Sequence, residues 1–358
     1  MRIAIISQYL PTAIQGGVPR QVHLLANKLV ERGHSITVFS LYEKPFDAKY
    51  NVVVVKLPSL LQKLVRYKKA LGGIFFPLYV ARKSFSDFDI IHAHGDSHFI
   101  FSSTPVIRTF HGSGLEEALY ATSVLTALFM LFIYPFEFFS GLIADRAIAS
   151  SKSTTRFFPF IKDVVYGGID LSKFKTGEHK SENPSILFVG QLDNRKRGKL
   201  LLNIFRYRIK REIPNIELWF VCNARIVEER IKTFINISDD ELIDLYQKAH
   251  IFCMPSKYEG FGIPYVEAMA CGTPVVTTPN PGSKEILDNG KYGIISNKDS
   301  IADELIGLLN DKAKREGLIS KGLIRAQDFD LEKTVDRYEK MYEELIKRKY
   351  DFQKDTRL

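Results

Sequence analysis

A chain of 358 residues and 40.9 kDa exceeds what one hydrophobic core usually fills, so two domains are expected, each able to bury its own core. Hydrophobic residues at 45% and charged residues at 25% are ordinary globular values, and they exclude a disordered chain, a collagen-like repeat and a disulfide scaffold. A net charge of +9 points to anionic partners, whether nucleotides, phospholipid surfaces or nucleic acid, without choosing among them.

The apolar run Ile3 to Ile6 ends at Ser7 without a small-residue cleavage site, so Arg2 to Ser7 reads as a first strand rather than an export signal. Next come Gln15-Gly16-Gly17-Val18, where the exposed N–H groups of a loop entering a helix can meet a phosphate or an acceptor. The full three-glycine dinucleotide fingerprint is missing, which counts against a dehydrogenase. From Arg20 to Arg32, Val22, Leu25, Ala26, Leu29 and Val30 mark one helical face. Strands are expected at Ser35 to Leu41, Asn51 to Leu57, Ile90 to His92, Val106 to Phe110 and Ala147 to Ser150. Apolar strands alternating with helices imply a parallel sheet, with ligands beyond the strands' carboxyl ends.

Within this half, Leu60 to Phe85 interleaves Lys63, Arg66, Lys68, Lys69, Arg82 and Lys83 with Leu61, Leu64, Val65, Ile74, Phe75 and Phe76. It reads equally as peripheral contact with an anionic membrane, on its cytoplasmic inner face, or as a solvated surface helix. Asp87-Phe88-Asp89 resembles a metal-binding aspartate pair but precedes a strand, on the edge away from ligands, and is read as a solvated turn. His92 and His94 fit packing or acceptor contacts, whereas Thr109-Phe110-His111-Gly112 ends a strand on the ligand side, which favours a functional His111. Ala121 to Ile143 carries one charge, Glu137, and is long enough to cross a bilayer. Pro135 interrupts it and the parallel-strand pattern continues on both sides, so a buried or surface-lying helix pair is expected.

After Gly167-Gly168-Ile169-Asp170 the chain is polar through Lys173 to Pro184. The expected domains are therefore 1–172 and 185–330, joined by a linker at 173–184, with the amphipathic C-terminal helix 331–350 returning to the first domain. Further strands are expected at Ser185 to Val189, Glu217 to Cys222, Ile251 to Met254 and Pro274 to Thr277, with helices at Asp239 to Ala249 and Tyr265 to Ala270. Cys222, Cys253 and Cys271 lie far apart in apolar runs without paired spacing, which suits buried thiols in a reducing, cytoplasmic compartment. No other cluster has metal-ligand spacing, and no metal or cofactor is expected.

Two segments carry the chemistry. In Glu259-Gly260-Phe261-Gly262-Ile263-Pro264-Tyr265-Val266-Glu267, two carboxylates bracket a glycine turn and a helix start. A sugar nucleotide needs acceptors for hydroxyls at both ends and backbone N–H groups for the diphosphate between, and this segment can supply all three. Gly260 and Gly262 let the main chain approach, Glu259 faces the sugar, and Glu267 can accept from ribose. The second segment, Gly190-Gln191-Leu192-Asp193-Asn194-Arg195-Lys196-Arg197-Gly198, runs from a strand through a cationic loop into a helix. Cations held at a helix start stabilise a departing diphosphate without a metal. For Arg195 and Lys196 a plain surface-charge reading stands equally.

These segments resemble the retaining glycosyltransferases of family 4, and the resemblance runs in order along essentially the whole chain. It implies the α/β GT-B fold, two Rossmann-like parallel-sheet domains facing a central cleft that closes on substrate. It implies transfer of a sugar from a UDP- or GDP-sugar donor to a glycan, lipid-linked or small-molecule acceptor, with the anomeric configuration retained and no nucleic-acid partner. Glu259 and Glu267, with seven residues between them, then bind donor sugar and ribose, and Gly190, Gln191, Lys196, Arg197, Gly260, Phe261, Gly262 and Ile263 complete the donor site. His111 lies near the donor sugar, with Gly16 and Gly17 in the acceptor or phosphate loop; His111, Glu259 and Arg197 are the catalytic candidates. The family places arginine where this chain has Gln191, and lysine where it has Arg197. Arg197 can do the lysine's work, and Arg195 or Lys196 must compensate for Gln191. A sugar-nucleotide epimerase and a non-catalytic anion-binding scaffold are the rival readings.

Overall fold

The computed structural model describes residues 1–11, 16–67, 71–95, 98–121 and 123–355. Gln15 of the glycine loop, Lys68 and Lys69 of the basic segment, and Thr122 of the long apolar stretch lie outside the described residues. The chain divides into two compact units, Met1–Gly167 with Leu331–Leu358, and Gly168–Asp330.

Unit 1 carries strands β1 (Arg2–Ile6), β2 (Ser35–Ser40), β3 (Asn51–Val54), β4 (Ile90–His94), β5 (Val106–Phe110), β6 (Arg146–Ala149) and β7 (Asp163–Val164). Helices α1 (Gly17–Glu31), α2 (Ser59–Tyr67), α3 (Gly72–Val80), α4 (Gly114–Tyr120), α5 (Val124–Ile143) and α6 (Lys152–Thr155) lie between them. The strands pair in parallel in the order β3-β2-β1-β4-β5-β6-β7, with Ile3 opposite Ile36 on one side and Ile90 on the other. They are apolar along their length because both faces are covered. Ile3, Ile5, Ile90, Ile107 and Ile148 pack with Val22, Leu25 and Leu29 of α1 on one face. Ala4, Ile6, Ile91 and Ala93 pack with Phe76 and Val80 of α3 on the other.

Unit 2 carries β8 (Ser185–Val189), β9 (Glu217–Val221), β10 (Ile231–Phe234), β11 (Ile251–Met254), β12 (Val275–Thr277) and β13 (Ile294–Ile295), parallel in the order β10-β9-β8-β11-β12-β13. Its helices are α7 (Gly198–Ile204), which continues through a π-turn at Phe205–Ile209 into α8 (Lys210–Glu212), then α9 (Asp239–Lys248), α10 (Ile263–Ala270), α11 (Pro281–Ile286), α12 (Ile301–Asn310) and α13 (Lys312–Ala326). Local sequence explains their starts. Ser238 and Glu241 form a reciprocal capping box at α9, and Asn280 with Ser283 does the same at α11. The last described helix, α14 (Leu331–Asp355), belongs to unit 1: Val335, Tyr338, Tyr342 and Leu345 join the core beside α1, and Arg32, the C-cap of α1, pairs with Glu332, Asp336 and Glu339.

Three expectations need correction. The stretch 173–184 is part of unit 2 rather than a linker: the Lys180 ammonium donates to the Gly272 carbonyl at 2.9 Å and to Thr273 Oγ1 at 2.8 Å, and the Lys175 carbonyl accepts from Gln247 at 2.8 Å. Polarity marks a segment that can meet water, and partly buried hydrogen bonds from Lys180 still tie it down. The apolar stretch 121–143 holds one helix, α5, with Pro135 inside it, instead of a helix pair. Pro135 is exposed, so water can satisfy the carbonyl that its missing N–H leaves unpaired. The strand expected over Asn51 to Leu57 stops at Val54. The short or edge strands β7, β10 and β13 carried too few apolar residues to be expected.

Candidate active site

In unit 2 the first strand, β8, sits mid-sheet; the chain steps outward to β9 and β10, then returns to β11 on the other side of β8 and steps out again to β12 and β13. The order reverses between β8 and β11, and ligands of open parallel sheets bind outside the carboxyl ends at such a point. Both chemistry-bearing segments leave from there. The loop after β8 and the loop after β11 are joined directly, the Lys257 N–H donating to the Arg195 carbonyl at 2.7 Å.

Beyond β8, Gly190 has φ +149°, and a Cβ there would come 2.2 Å from Lys196 Cδ. That missing side chain lets Lys196 fold back so that its ammonium donates to the Val189 carbonyl at 3.2 Å. Arg195 is exposed, its guanidinium 5.8 Å from the Tyr258 ring centre, within cation–π range. Arg197 occupies the N-cap of α7 in the left-handed region, φ 54° and ψ 39°, a conformation costing an L side chain about 1–2 kcal/mol. It lines a cavity of about 390 Å³ with Leu192, Asp193, Lys199, Leu200 and Lys298. Lys298 is a cation that sequence reading missed, because only the fold brings it to this loop. Gln191 is exposed. A hollow of about 460 Å³ beside the edge strand β10, lined by residues such as Arg225, Glu228 and Thr233, contains none of the candidate residues.

Beyond β11, Glu259 is only 6% exposed and accepts from Ser256 Oγ at 3.1 Å. Its carbonyl accepts from the Gly282 N–H at 2.8 Å, and a Cβ on Gly282 would stand 2.4 Å from the Phe261 carbonyl oxygen, so only glycine lets α11 close on this turn. Thr278 Oγ1 and Asn280 Nδ2 both donate to the Ser256 carbonyl, at 2.7 and 3.2 Å. The carboxylate therefore sits in a framework made from two loops. Burial, then the Glu259 charge, pushes the neighbouring Tyr265 phenol up. Gly260 and Phe261 are half-buried, and Gly262, at φ +98°, caps α10, which begins at Ile263 with Pro264 in its first turn. The α10 N-terminus carries no side-chain cap; Pro264 has no N–H and the Tyr265 N–H donates to the Gly262 carbonyl at 2.9 Å, so what this helix start offers an anion is chiefly the positive end of its dipole. Glu267, buried further along α10, accepts from the Tyr246 hydroxyl at 2.9 Å, so α9 fixes its direction. Sequence reading missed all three holders: Ser256, three residues before Glu259, could have been found locally, whereas Tyr246 and Gly282 could not.

In unit 1, Gly16 is the N-cap of α1 and Gly17 its first residue, with no side-chain cap and no acidic residue in the first turn. His94 ends β4 and His111 directly follows the neighbouring β5, and His94 Nδ1 lies 3.0 Å from His111 Nε2. Behind them, His92 bonds the Tyr342 hydroxyl at 2.6 Å and Thr109 Oγ1 at 2.8 Å, with its ring centre 3.9 Å from that of His94. His92 is thus a packed core residue, and His94 orients His111. Asp89, at the amino end of β4, accepts from the Arg2 N–H at 2.7 Å. Among the described residues, no three His, Cys, Asp or Glu side chains cluster as a metal ion requires.

Burial holds the His111 imidazole down to about 4; burial and then the His111 charge hold His92 to about 3, and burial and then Arg108 hold His98 to about 3. Burial and the neighbouring His92 and His111 depress His94 as well. Unfolded imidazoles protonate near pH 6.5 while these folded ones stay neutral, so the unfolded chain gains protons first. The stability these histidines contribute is complete above pH 6.5 and declines from there toward pH 4 and 3. Urea titrations at stepped pH should show the unfolding midpoint falling over this window, each histidine adding up to about 1.4 kcal/mol per pH unit. A flat profile would contradict the neutral histidine cluster.

Two family models match the chain, Glycosyltransferase Family 4 over residues 15–173 and Glycosyl transferases group 1 over residues 170–324. The phosphatidyl-myo-inositol mannosyltransferase of Mycolicibacterium smegmatis is 24% identical, covering 92% of this chain and 90% of its own. Among solved structures, sucrose-phosphate synthase from Thermosynechococcus elongatus superimposes with a TM-score of 0.79 at 20% identity, over 97% of this chain and 99% of that one. Anabaena HepE in complex with UDP-glucose gives 0.71 at 18% identity, over 96% and 100%. The chain belongs to the group 1 glycosyltransferases of family 4, a hexosyltransferase with the two parallel-sheet domains of the GT-B fold.

Proposed function

We propose that this enzyme transfers a hexose from a nucleoside diphosphate donor to a hydroxyl of a glycan or lipid-linked acceptor, in the cytoplasm, with retained anomeric configuration and without a metal. One observation carries the reading: a buried carboxylate, Glu259, and a cationic loop, Arg195 to Arg197, leave adjacent strands where the sheet order reverses and are tied together by a backbone hydrogen bond. UDP-glucose bound to Anabaena HepE and the lipid named for the mycobacterial mannosyltransferase support the donor and acceptor classes. The compartment is supported by three free, buried cysteines.

In this reading the cations of the loop after β8 and the positive end of the α10 dipole stabilise negative charge as the diphosphate departs. The acceptor hydroxyl attacks from the face the diphosphate leaves, and the leaving phosphate takes its proton. Glu259 accepts from sugar hydroxyls and sets the orientation of the ring; Glu267, held by Tyr246, accepts from the ribose. His111, a neutral imidazole held by His94 at the carboxyl edge of the unit 1 sheet, can donate or accept a hydrogen bond there. Gly16 and Gly17 offer N–H groups to an acceptor or phosphate.

The test is a panel of UDP- and GDP-hexoses in EDTA, first by thermal shift and then by proton NMR of the product. Stabilisation by one donor and a product with the donor's anomeric configuration are expected. Inverted product, or activity abolished by EDTA and restored by a divalent ion, would refute retention or metal independence respectively. Donor conversion without any acceptor would identify an epimerase.

A further inference from the structure

The long apolar helix of unit 1 plays no part in the proposed transfer chemistry. Along α5, Val124, Leu128, Leu131, Pro135, Phe139 and Leu142 recur at three- and four-residue intervals and are all exposed. Leu128 is 58%, Phe139 65% and the flanking Phe132 57% exposed. A soluble helix normally turns such a stripe inward, and so large an exposed apolar surface marks an interaction site. The opposite side is committed to the fold. Ile133, Ser140 and Gly141 are buried, a Cβ on Gly141 would come 2.7 Å from the Phe160 ring, and the Tyr134 hydroxyl donates to the Phe157 carbonyl at 2.6 Å. Glu137, the one charged residue of α5, accepts from the Gly114 N–H of α4 at 2.8 Å. No charge interrupts the stripe.

The geometry points to α5 lying in the surface of an anionic phospholipid membrane, its stripe among the upper acyl chains and its axis in the plane of the leaflet. Length and composition would allow a span, but topology forbids one. α5 is the crossover between β5 and β6, parallel neighbours with Ile107 opposite Arg146, so both ends of the helix must remain on the same side of the bilayer. Charge selects the lipid. Lys152, Arg156 and Lys162 are exposed on the segment that packs against α5 through Phe157 and Phe160, and the whole chain carries +9. Cations beside an apolar stripe suit anionic headgroups above acyl chains, whereas two copies joined through this face would bring like charges together.

The inference stands apart from the transfer mechanism, and its experiment keeps the two separate. The full chain is sedimented with phosphatidylglycerol vesicles and with phosphatidylcholine vesicles, alongside the variant Leu128→Ser/Phe132→Ser/Phe139→Ser, whose changes lie at exposed positions. The wild-type chain should bind the anionic vesicles and prefer them to the neutral ones, and the triple variant should partition at least tenfold more weakly. Thermal stabilisation by a nucleotide-sugar donor should be the same for both chains, so loss of membrane binding is read without loss of the active site. The proposal is overturned if the wild-type chain stays in the supernatant at low salt, if it ignores lipid charge, or if the triple variant sediments equally. It is also overturned if light scattering shows a wild-type dimer that becomes monomeric in the variant, which would assign the stripe to a second copy.

Discussion

Replacing Arg197 with glycine should slow hexose transfer by about 10²- to 10³-fold while leaving the protein at least as stable as before. The two effects have separate causes in one residue. In the proposed mechanism Arg197, a cation lining the cavity beside β8, stabilises charge that develops on the leaving diphosphate, and removal of one preorganised donor of this kind costs about 10²–10³ in turnover. As the N-cap of α7 it is held at φ 54°, a region in which glycine has no steric penalty. Relief of that strain, about 1 kcal/mol less the extra entropy of an unfolded glycine, should raise the thermal midpoint by up to about 3 °C. Strain retained at a cationic position fits a functional requirement better than a structural one. Steady-state kinetics with thermal denaturation checks both halves; a glycine variant with normal turnover would remove Arg197 from the mechanism. Arg197→Lys keeps the charge and the strained backbone, and should recover part of the rate with no gain in stability.

The second large effect is expected at Glu259. Glu259→Gln keeps the shape and leaves Oε1 available to Ser256, so circular dichroism and the thermal midpoint should change little. Turnover should still fall by about 10²-fold or more, because the neutral amide accepts more weakly from sugar hydroxyls than a buried carboxylate does. Ser256→Ala should act more mildly, freeing the carboxylate to rotate while preserving its charge. The ratio of the two losses separates charge from orientation. Equal, small losses would mean that Glu259 is a structural acid holding its own turn.

The central strands were legible from the sequence for a simple reason: each is a short, uninterrupted apolar run, the pattern of a sheet covered on both faces. Ser185 to Val189, Val106 to Phe110 and Ile251 to Met254 begin and end where expected. β13, two residues long, and β10, an edge strand with Lys232 exposed, carry no such pattern and exist because neighbouring strands offer hydrogen bonds. The carboxylates were legible too, through spacing and the intervening glycines. Their holders were not: Ser256, though only three residues before Glu259, went unread, Tyr246 lies 21 residues before Glu267, and Gly282 meets Glu259 through a backbone bond that no residue type announces.

Local chemistry alone therefore determined the class of the molecule: apolar strands alternating with amphipathic helices, glycine at helix starts, a carboxylate pair around a glycine turn, and a basic loop after a strand. These depend on residue type and short spacing, which a linear chain displays. Tertiary structure decided what depends on distant parts of the chain meeting. It turned the outer stripe of α5 to solvent, joined Lys298 to the loop of Arg197, bonded 173–184 into unit 2, and stacked His92 and His94 behind His111. Burial and partner choice are properties of that three-dimensional packing, so neither can be read from composition or periodicity.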